Sequence, residues 1–185
     1  MSANEPVSIL SLAILGLVAQ KPMSGYDLRK VFTTTPMGHY SNSPGAIYPA
    51  LRRLERQGLV ESIVERPHEL RPRQVFAITE AGRKSLVAVL REPVTRGEGA
   101  LRLDRLLLRF AFMDAYLERA EIVAFLEQLA EEVDDYVKYL RQVESELPGT
   151  PESCGRLALE HGIEGIQATA RWARRAIKRI ENKEP

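Results

Sequence analysis

The sequence predicts a mainly α-helical protein that carries one small β-hairpin. Residues 1–92 contain three helix signals, two short β-branched segments and a fourth helix signal. Residues after 100 show only helical patterns. Between these parts, residues 93–99 hold one proline, two glycines and charges of both signs, which is typical of a linker. We therefore expect a first domain over residues 1–92, a linker over 93–99 and a helical domain over 100–185.

The first helix is expected over residues 7–19, because Val7, Leu10, Ile14 and Val18 recur at helical spacing. Its apolar stretch is about a dozen residues long, against the roughly 20 that a membrane span needs. No Lys or Arg precedes it, so it lacks the basic region of a signal peptide. These features predict a soluble cytoplasmic protein in which this helix belongs to the core.

The second helix begins where a serine precedes a carboxylate by three residues. The Ser24 hydroxyl is placed to cap an early backbone N–H, and Asp27 is placed to reach back toward Ser24. Leu28, Val31 and Phe32 then supply an apolar face. The spacing predicts a capping box at the start of this helix.

The third helix is expected to start at Ser43, with Pro44 at its first position, and to end at Gly58. Pro49 lies inside this range, where it removes one hydrogen bond and presses on the carbonyl of Gly45. We therefore expect a bent but continuous first half. At helical spacing Ile47, Leu51 and Leu54 face inward, and the outer face carries Arg52, Arg53 and Arg56.

A β-hairpin is expected from Leu59–Glu65 and Gln74–Thr79, two short segments rich in β-branched and aromatic residues. The loop between them contains three basic residues that would attract phosphate, namely Arg66, Arg71 and Arg73. Thr79 is the expected N-cap of a fourth helix.

Three helices followed by a hairpin is the order of a winged helix-turn-helix, in which the third helix enters the DNA major groove. The charge distribution favours the same function. Residues 1–92 carry 12 Lys and Arg against 8 Asp and Glu, whereas residues 93–185 carry 14 against 17. The sequence thus predicts that the first domain binds double-stranded DNA.

The second domain shows two heptad patterns separated by a break at residues 147–151. They predict an antiparallel helical pair. Residues 101–113 add more apolar surface than that pair covers, so we expect a homodimer. The predicted dimerisation residues are Leu126, Leu129, Val133, Tyr136, Leu140, Ile163, Ile166, Ala170, Ala173 and Ile177.

Several motifs occur in the order and spacing of a known family. They are residues 15–17 (LGL), 22–28 (PMSGYDL), 45–55 (GAIYPALRRLE), 58–61 (GLVE) and 78–82 (ITEAG). Together they cover about half of the chain and resemble the PadR family signature. The remaining half resembles the longer C-terminal arm of the PadR subgroup that includes virulence activators.

The resemblance implies a homodimeric transcriptional regulator, commonly a repressor, that binds an inverted-repeat operator and is often released by a small aromatic effector. It places the DNA contacts of the third helix on Ser43, Tyr48, Arg52 and Arg53, and those of the wing on Arg71 and Arg73. Three residues depart from those common in the family, namely Ala46, Gln74 and Phe76.

Other functions have less support in the sequence. Trp172, the sole tryptophan, either packs in the dimer or stacks on an effector. Cys154 is the only cysteine, and His161 with Glu164 lacks a third ligand, so we expect no disulfide, metal or cofactor. Enzyme motifs are absent, and no enzymatic activity is expected. The alternatives are a winged-helix module whose arm recruits another protein, and a small-molecule carrier or minor enzyme with an aromatic cavity.

Overall fold

The computed structural model describes residues 7–40, 44–65 and 72–182. The chain forms two compact units, Met1–Leu90 and Arg91–Pro185. The first contains α1 (Ile9–Gln20), α2 (Gly25–Thr34), α3 (Ile47–Arg56), β1 (Val60–Glu65), β2 (Arg73–Ile78) and α4 (Glu80–Leu90). The second contains α5 (Glu98–Leu101), α6 (Leu103–Met113), α7 (Arg119–Glu146) and α8 (Cys154–Glu181). This order confirms the predicted class, mainly α with a small β-hairpin.

Helix α1 is the centre of the first unit. Eight consecutive residues, Ser11–Val18, are buried, so every face of the helix is covered. It packs against α3, α4 and β2, which confirms that the first helix belongs to the core. No helix in the described ranges combines the length and the apolar character needed to cross a membrane.

The capping box predicted for α2 is confirmed. The Ser24 hydroxyl accepts a hydrogen bond from the backbone N–H of Asp27 at 3.1 Å. The Asp27 carboxylate accepts one from the backbone N–H of Ser24 at 3.1 Å and one from its hydroxyl at 2.7 Å. Two backbone donors at the start of α2 are thereby satisfied.

The predicted start of the third helix is wrong. Pro44–Ala46 forms a 3-10 turn, and the α-helix begins only at Ile47. Pro49 is therefore the third residue of α3, where a helix has no internal partner for a backbone N–H. A proline there removes no hydrogen bond, so it fits a helix start and no bend over Gly45 is needed.

The hairpin lies beside the start of α2. β1 and β2 pair antiparallel, with Val60 opposite Ile78 and Glu65 opposite Arg73. Met23, just before α2, exchanges two backbone hydrogen bonds with Phe76 of β2, at 3.0 and 2.8 Å. The segment before α2 therefore fixes the position of the hairpin. Its tip, residues 66–71, lies outside the described ranges.

The predicted cap of the fourth helix is also confirmed. The Thr79 hydroxyl accepts a hydrogen bond from the backbone N–H of Gly82 at 3.0 Å and donates one to the carbonyl of Gly58 at 2.6 Å. A Cβ on Gly82 would lie 1.9 Å from the carbonyl oxygen of Leu59. Glycine is thus required where α4 meets the segment that leads into β1.

In the second unit, α7 and α8 form the predicted antiparallel pair. Ile180 near the end of α8 lines the same cavity as Ile122 near the start of α7. Midway along the pair, Arg174 of α8 bonds to Asp134 of α7. The two heptad patterns thus meet within one chain.

The segment predicted as a linker makes specific contacts within the second unit. Val94 is buried, and its backbone N–H donates to the side chain of Gln128 at 3.2 Å. Arg109 of α6 donates to the backbone carbonyl of Glu92, and its guanidinium lies 5.1 Å from the ring centroid of Phe125. Burial lowers the pKa of Arg109, while nearby glutamates oppose that shift. The domain boundaries stay a prediction.

Candidate nucleic-acid interface

One face of α3 is exposed and basic. Its buried residues are Ile47, Ala50, Leu51 and Leu54. At about 100° per residue, the direction opposite to them is occupied by Pro49, Arg52 and Arg56, all of which are exposed. Arg56 also donates from Nε to the carbonyl of Arg52 at 3.3 Å. The centre of the outer face is therefore the pair Arg52 and Arg56.

Tyr48 lies at one edge of this face, against the start of α2. Its side chain is 50% exposed. A Cβ built on Gly25 would lie 2.5 Å from Cε1 and 2.9 Å from Cζ of the Tyr48 ring. The ring therefore occupies the space that a side chain at position 25 would need. Tyr48 both packs on α2 and presents its other face to solvent.

A groove of about 600 Å³ separates α3 from α2 and the hairpin. Besides Gly25 and Tyr48, it contains Tyr26, which is 70% exposed at the start of α2. The charged and polar residues of the groove are Ser24, Asp27, Arg52, Glu55, Arg73 and Gln74. Tyrosine rings beside arginine side chains are well suited to contact a sugar-phosphate backbone.

Arg73 links the hairpin to α2. Its guanidinium lies 2.9 Å from the Glu65 carboxylate and 3.7 Å from that of Asp27. The pKa of Asp27 is lowered, chiefly by its hydrogen bonds with Ser24 and to a lesser degree by Arg73. Arg73 is about half exposed. In the absence of DNA, two carboxylates therefore partly neutralise the positive charge of Arg73.

Arg53 lies at the other edge of the outer face, toward α1. One of its guanidinium nitrogens, Nη2, donates to the Ser11 hydroxyl at 2.8 Å and to the Ser8 hydroxyl at 3.2 Å. The two residues of the predicted basic pair therefore have different surroundings. Arg52 lines the groove, whereas Arg53 is hydrogen-bonded to α1.

Four of the seven predicted DNA-binding residues are described, namely Tyr48, Arg52, Arg53 and Arg73, and all belong to α3 and β2 of the first unit. The other three, Ser43, Arg66 and Arg71, lie outside the described residues. Tyr26 and Arg56 were not among the predicted contacts. For Arg56 the signal was its place on the outer face. Tyr26 stands one residue after the start of α2, which puts it beside the groove.

The second unit contains an aromatic cluster with cavities beside it. The rings of Phe110 and Trp172 meet edge to face, with centroids 5.4 Å apart, and Phe110 stacks on Phe125 at 6.3 Å. One cavity of about 510 Å³ is lined by Phe110, Ala111, Asp114, Leu117, Arg119, Ile122 and Ile180. A second of about 420 Å³ is lined by Leu103, Leu107, Ala168, Thr169 and Trp172.

The predicted dimerisation residues fall into two groups. Six are at most 2% exposed in the single chain, namely Leu126, Leu129, Val133, Ile163, Ala170 and Ala173. The other four, Tyr136, Leu140, Ile166 and Ile177, are half-buried. A side chain without exposed surface adds no area to a contact with a second copy. The role of all ten in dimerisation stays a prediction.

Within the described ranges, no group of three or more His, Cys, Asp or Glu side chains is arranged to hold a metal ion. Cys154 is exposed at the first position of α8.

Two family profiles match the chain. The profile described as "Transcriptional regulator PadR-like family" matches residues 14–88. The profile described as "Virulence activator alpha C-term" matches residues 104–181. The two matches fall within the two compact units and leave only the termini and the segment between them uncovered.

The chain is similar to the YqjI proteins of two organisms and to several solved structures. It is 38% identical over 73 residues to the "Transcriptional regulator YqjI" of Escherichia coli, and equally to the uncharacterized YqjI of Shigella flexneri. The match covers 40% of this chain and spans 33% of the length of each relative.

Among solved structures, Bacillus subtilis PadR in complex with operator DNA is 21% identical, with 93% of this chain and 99% of that chain covered and a TM-score of 0.41. A PadR-like regulator from Bacillus cereus is 23% identical, with coverages of 97% and 99% and a TM-score of 0.42.

Proposed function

Because the chain belongs to the PadR-like family of transcriptional regulators, we propose that it binds an inverted-repeat DNA operator as a homodimer and represses transcription. A regulator of this kind works in the cytoplasm, where it reaches chromosomal DNA, and carries out no catalysis.

The observation that supports this proposal most strongly is the outer face of α3. Arg52 and Arg56 lie at its centre, and within the described part of the chain neither forms an ion pair with a carboxylate. Arginine pairs with the O6 and N7 atoms of guanine and with phosphates. An exposed helix face with two such side chains has the composition that entry into a major groove requires.

Contacts to flanking phosphates complete this proposal. Tyr48, Tyr26 and Arg73 line the cavity between α3, α2 and the hairpin, and they are proposed to contact the DNA backbone. The same role is proposed for Ser43, Arg66 and Arg71, which lie outside the described residues. These contacts position the protein, whereas Arg52 and Arg56 read bases.

The second copy is expected to pack on the α7 and α8 arm. The six buried heptad residues hold each arm together, so the surface for the partner comes from the half-buried Tyr136, Leu140, Ile166 and Ile177. Two large apolar side chains on the arm are more exposed, namely Tyr139 at 54% and Leu157 at 50%. Exposed apolar surface of this kind favours association.

A small aromatic effector would bind in the second unit, at the cavities on either side of the Phe110 and Trp172 pair. Both have volumes in the range of small-molecule sites, about 300–1,000 Å³. Since Trp172 is the sole tryptophan, its fluorescence reports changes in the surroundings of this one side chain. Saturable quenching by a planar aromatic compound is expected, and unchanged fluorescence across a panel of such compounds would argue against this site.

A gel-shift titration tests the regulator function. The protein is titrated with DNA fragments from its own gene neighbourhood and with scrambled fragments of equal length. Tighter binding to one native fragment, weakening steeply with salt, is the expected result. Equal affinity for every fragment would contradict sequence-specific regulation.

A further inference from the structure

Ser11 is a buried polar residue in an otherwise apolar stretch of α1. Ser11 is only 3% exposed, and the four residues that follow it, Leu12 to Leu15, are completely buried. Burying a hydroxyl is unfavourable unless it is hydrogen-bonded. The contacts of this hydroxyl therefore indicate why a serine stands here.

The Ser11 hydroxyl is the centre of a small network that reaches α3. It accepts a hydrogen bond from Ser8 Oγ at 2.9 Å and one from Arg53 Nη2 at 2.8 Å. Ser8 Oγ in turn receives a second, longer bond from the same Arg53 nitrogen at 3.2 Å. Two hydroxyls thus hold one end of a long and otherwise flexible side chain.

Arg53 keeps most of its hydrogen-bonding capacity in this arrangement. A guanidinium has five N–H donors, and the two bonds to serine use only those on Nη2. Within the described residues Arg53 has no carboxylate partner, and the first turn of α1 contains no acidic residue. The guanidinium is therefore held through Nη2, and Nε and Nη1 donate to no other residue in the described part of the chain.

The position of Arg53 on α3 indicates what those donors meet. At about 100° per residue, Arg53 is displaced by about 60° from Arg56 and about 100° from Arg52, toward α1. When the centre of the outer face meets base edges, a side chain at this angle reaches the rim of the groove. The rim of a major groove consists of phosphates.

We propose that Ser11, together with Ser8, positions Arg53 to bind a backbone phosphate beside the recognition helix. Ser11 is a positioning residue, and Arg53 adds affinity without selecting sequence. This inference rests on the proposed DNA-binding function. It assigns a role to Ser11 that neither its burial nor its place in α1 requires.

The test is a double-mutant cycle on a fluorescein-labelled duplex of mixed sequence, measured by anisotropy at several salt concentrations. Phosphate contacts do not depend on sequence, so this probe serves before any operator is known. The variants are Ser11→Ala, Arg53→Ala and the double variant, and Ser85→Ala on α4 is the matched serine control. Thermal unfolding of each variant is recorded in parallel.

Arg53→Ala is expected to lower affinity about tenfold and to reduce the slope of log K against log salt by about 0.9, the value for one lost phosphate contact. Ser11→Ala is expected to lower affinity about threefold, as for the loss of one net hydrogen bond. It should reduce the slope of log K against log salt by less than Arg53→Ala does. In the Arg53→Ala background, Ser11→Ala should have no further effect on affinity. Ser85→Ala should leave both quantities unchanged.

An unchanged affinity for Ser11→Ala, or an equal loss in both backgrounds, would overturn the inference. If Ser11→Ala fails to fold, Ser11→Cys provides the same test, because a thiol is a small apolar side chain and a weak acceptor. Failure of the wild-type protein to bind the duplex at low salt would instead overturn the proposed function.

Discussion

The ring of Tyr48 occupies the space directly above Gly25, so that a Cβ at position 25 would lie 2.5 Å from Cε1 of the ring. The two residues are 23 positions apart in sequence, on α3 and α2. The space at position 25 is limited by the neighbouring ring and not by the backbone, since Gly25 is a regular first residue of a helix. The absence of a side chain on Gly25 therefore lets the Tyr48 ring lie against the start of α2 at the candidate DNA interface.

The variant Gly25→Ala is expected to move the Tyr48 ring with little effect on folding. The atoms that the new methyl would meet are the far end of a half-exposed side chain, which can rotate away. Urea unfolding should show a free energy within about 1 kcal/mol of the wild-type value. DNA affinity should fall.

Tyr48→Ala provides the control for this prediction. In the Tyr48→Ala background, Gly25→Ala should not change DNA affinity further, because the ring that it displaces is gone. A loss of several kcal/mol in stability for Gly25→Ala alone would show that the ring is held in place and would contradict the expected rotation.

Removing a carboxylate from the wing is expected to strengthen DNA binding. Glu65 bonds to Arg73 at 2.9 Å and partly neutralises it. Glu65→Gln frees this charge, so affinity for a mixed-sequence duplex should rise, by about two- to fivefold. Both groups are substantially exposed, and the stability lost with the ion pair should stay below about 1 kcal/mol.

Glu80→Gln is the matched control for the wing variant, because it makes the same charge change on α4, where Glu80 pairs with Lys84. Its effect on DNA affinity should be smaller than that of Glu65→Gln. Equal gains for the two variants would mean that only net charge matters and that Arg73 has no special place in the interface.

The capping box of α2 predicts a pH dependence of stability. The pKa of Asp27 in the folded protein is lowered from 3.8 by its hydrogen bonds with Ser24. A lowered folded-state pKa contributes stability that is fully present above the unfolded value and is lost as pH falls through the folded value. Asp27→Asn should therefore reduce the free energy of unfolding at pH 7, because the carboxylate of the capping box is lost.

The same variant should differ less from the wild type as the pH falls below the unfolded-state pKa of 3.8, because the Asp27 carboxylate is then protonated in the unfolded chain before it is protonated in the folded protein. Denaturant titrations of both proteins at pH 7 and pH 3 measure this difference. A difference that stays constant between these pH values would show that the charge of Asp27 makes no contribution.

Charged substitutions on the exposed part of the arm should dissociate the proposed dimer without unfolding the chain. Tyr139→Glu and Leu157→Glu place charges at side chains that are about half exposed. Sedimentation at micromolar concentration is expected to show monomers with unchanged helical content. The contrasting variant is Leu129→Ala, which creates a cavity at a completely buried site and should lower stability by about 2–5 kcal/mol.

Local signals in the sequence predicted much of the fold. The capping box of α2, the Thr79 cap and the antiparallel heptad pair depend on residues close together in the chain, and all three are confirmed. The predicted start of α3 was wrong because Ser43 and Pro44 have the residue types of a helix start, although the α-helix begins later. Pro49 favours a later start at Ile47. Choosing between two valid local signals requires the tertiary structure.

The features of the candidate site that the sequence did not predict depend on contacts between residues that are far apart in the chain. The sequence predicted exposed arginines on the outer face of α3, but it gave no reason to separate Arg53 from Arg52. That separation follows from the bond to Ser11, which lies 42 residues earlier. In the same way, the heptad pattern predicted the helical pair but did not show which of its apolar residues are completely buried within one chain and which keep exposed surface.

Selection from a random pool of duplexes shows whether the outer face of α3 reads DNA sequence. The wild-type protein should enrich an inverted repeat, since two copies present the same helix. The double variant Arg52→Ala/Arg56→Ala should bind the pool weakly and lose that enrichment, with each lost base contact removing about 1–3 kcal/mol of discrimination. Enrichment of the same repeat by both proteins, or of no sequence by the wild type, would show that Arg52 and Arg56 on α3 do not read DNA sequence.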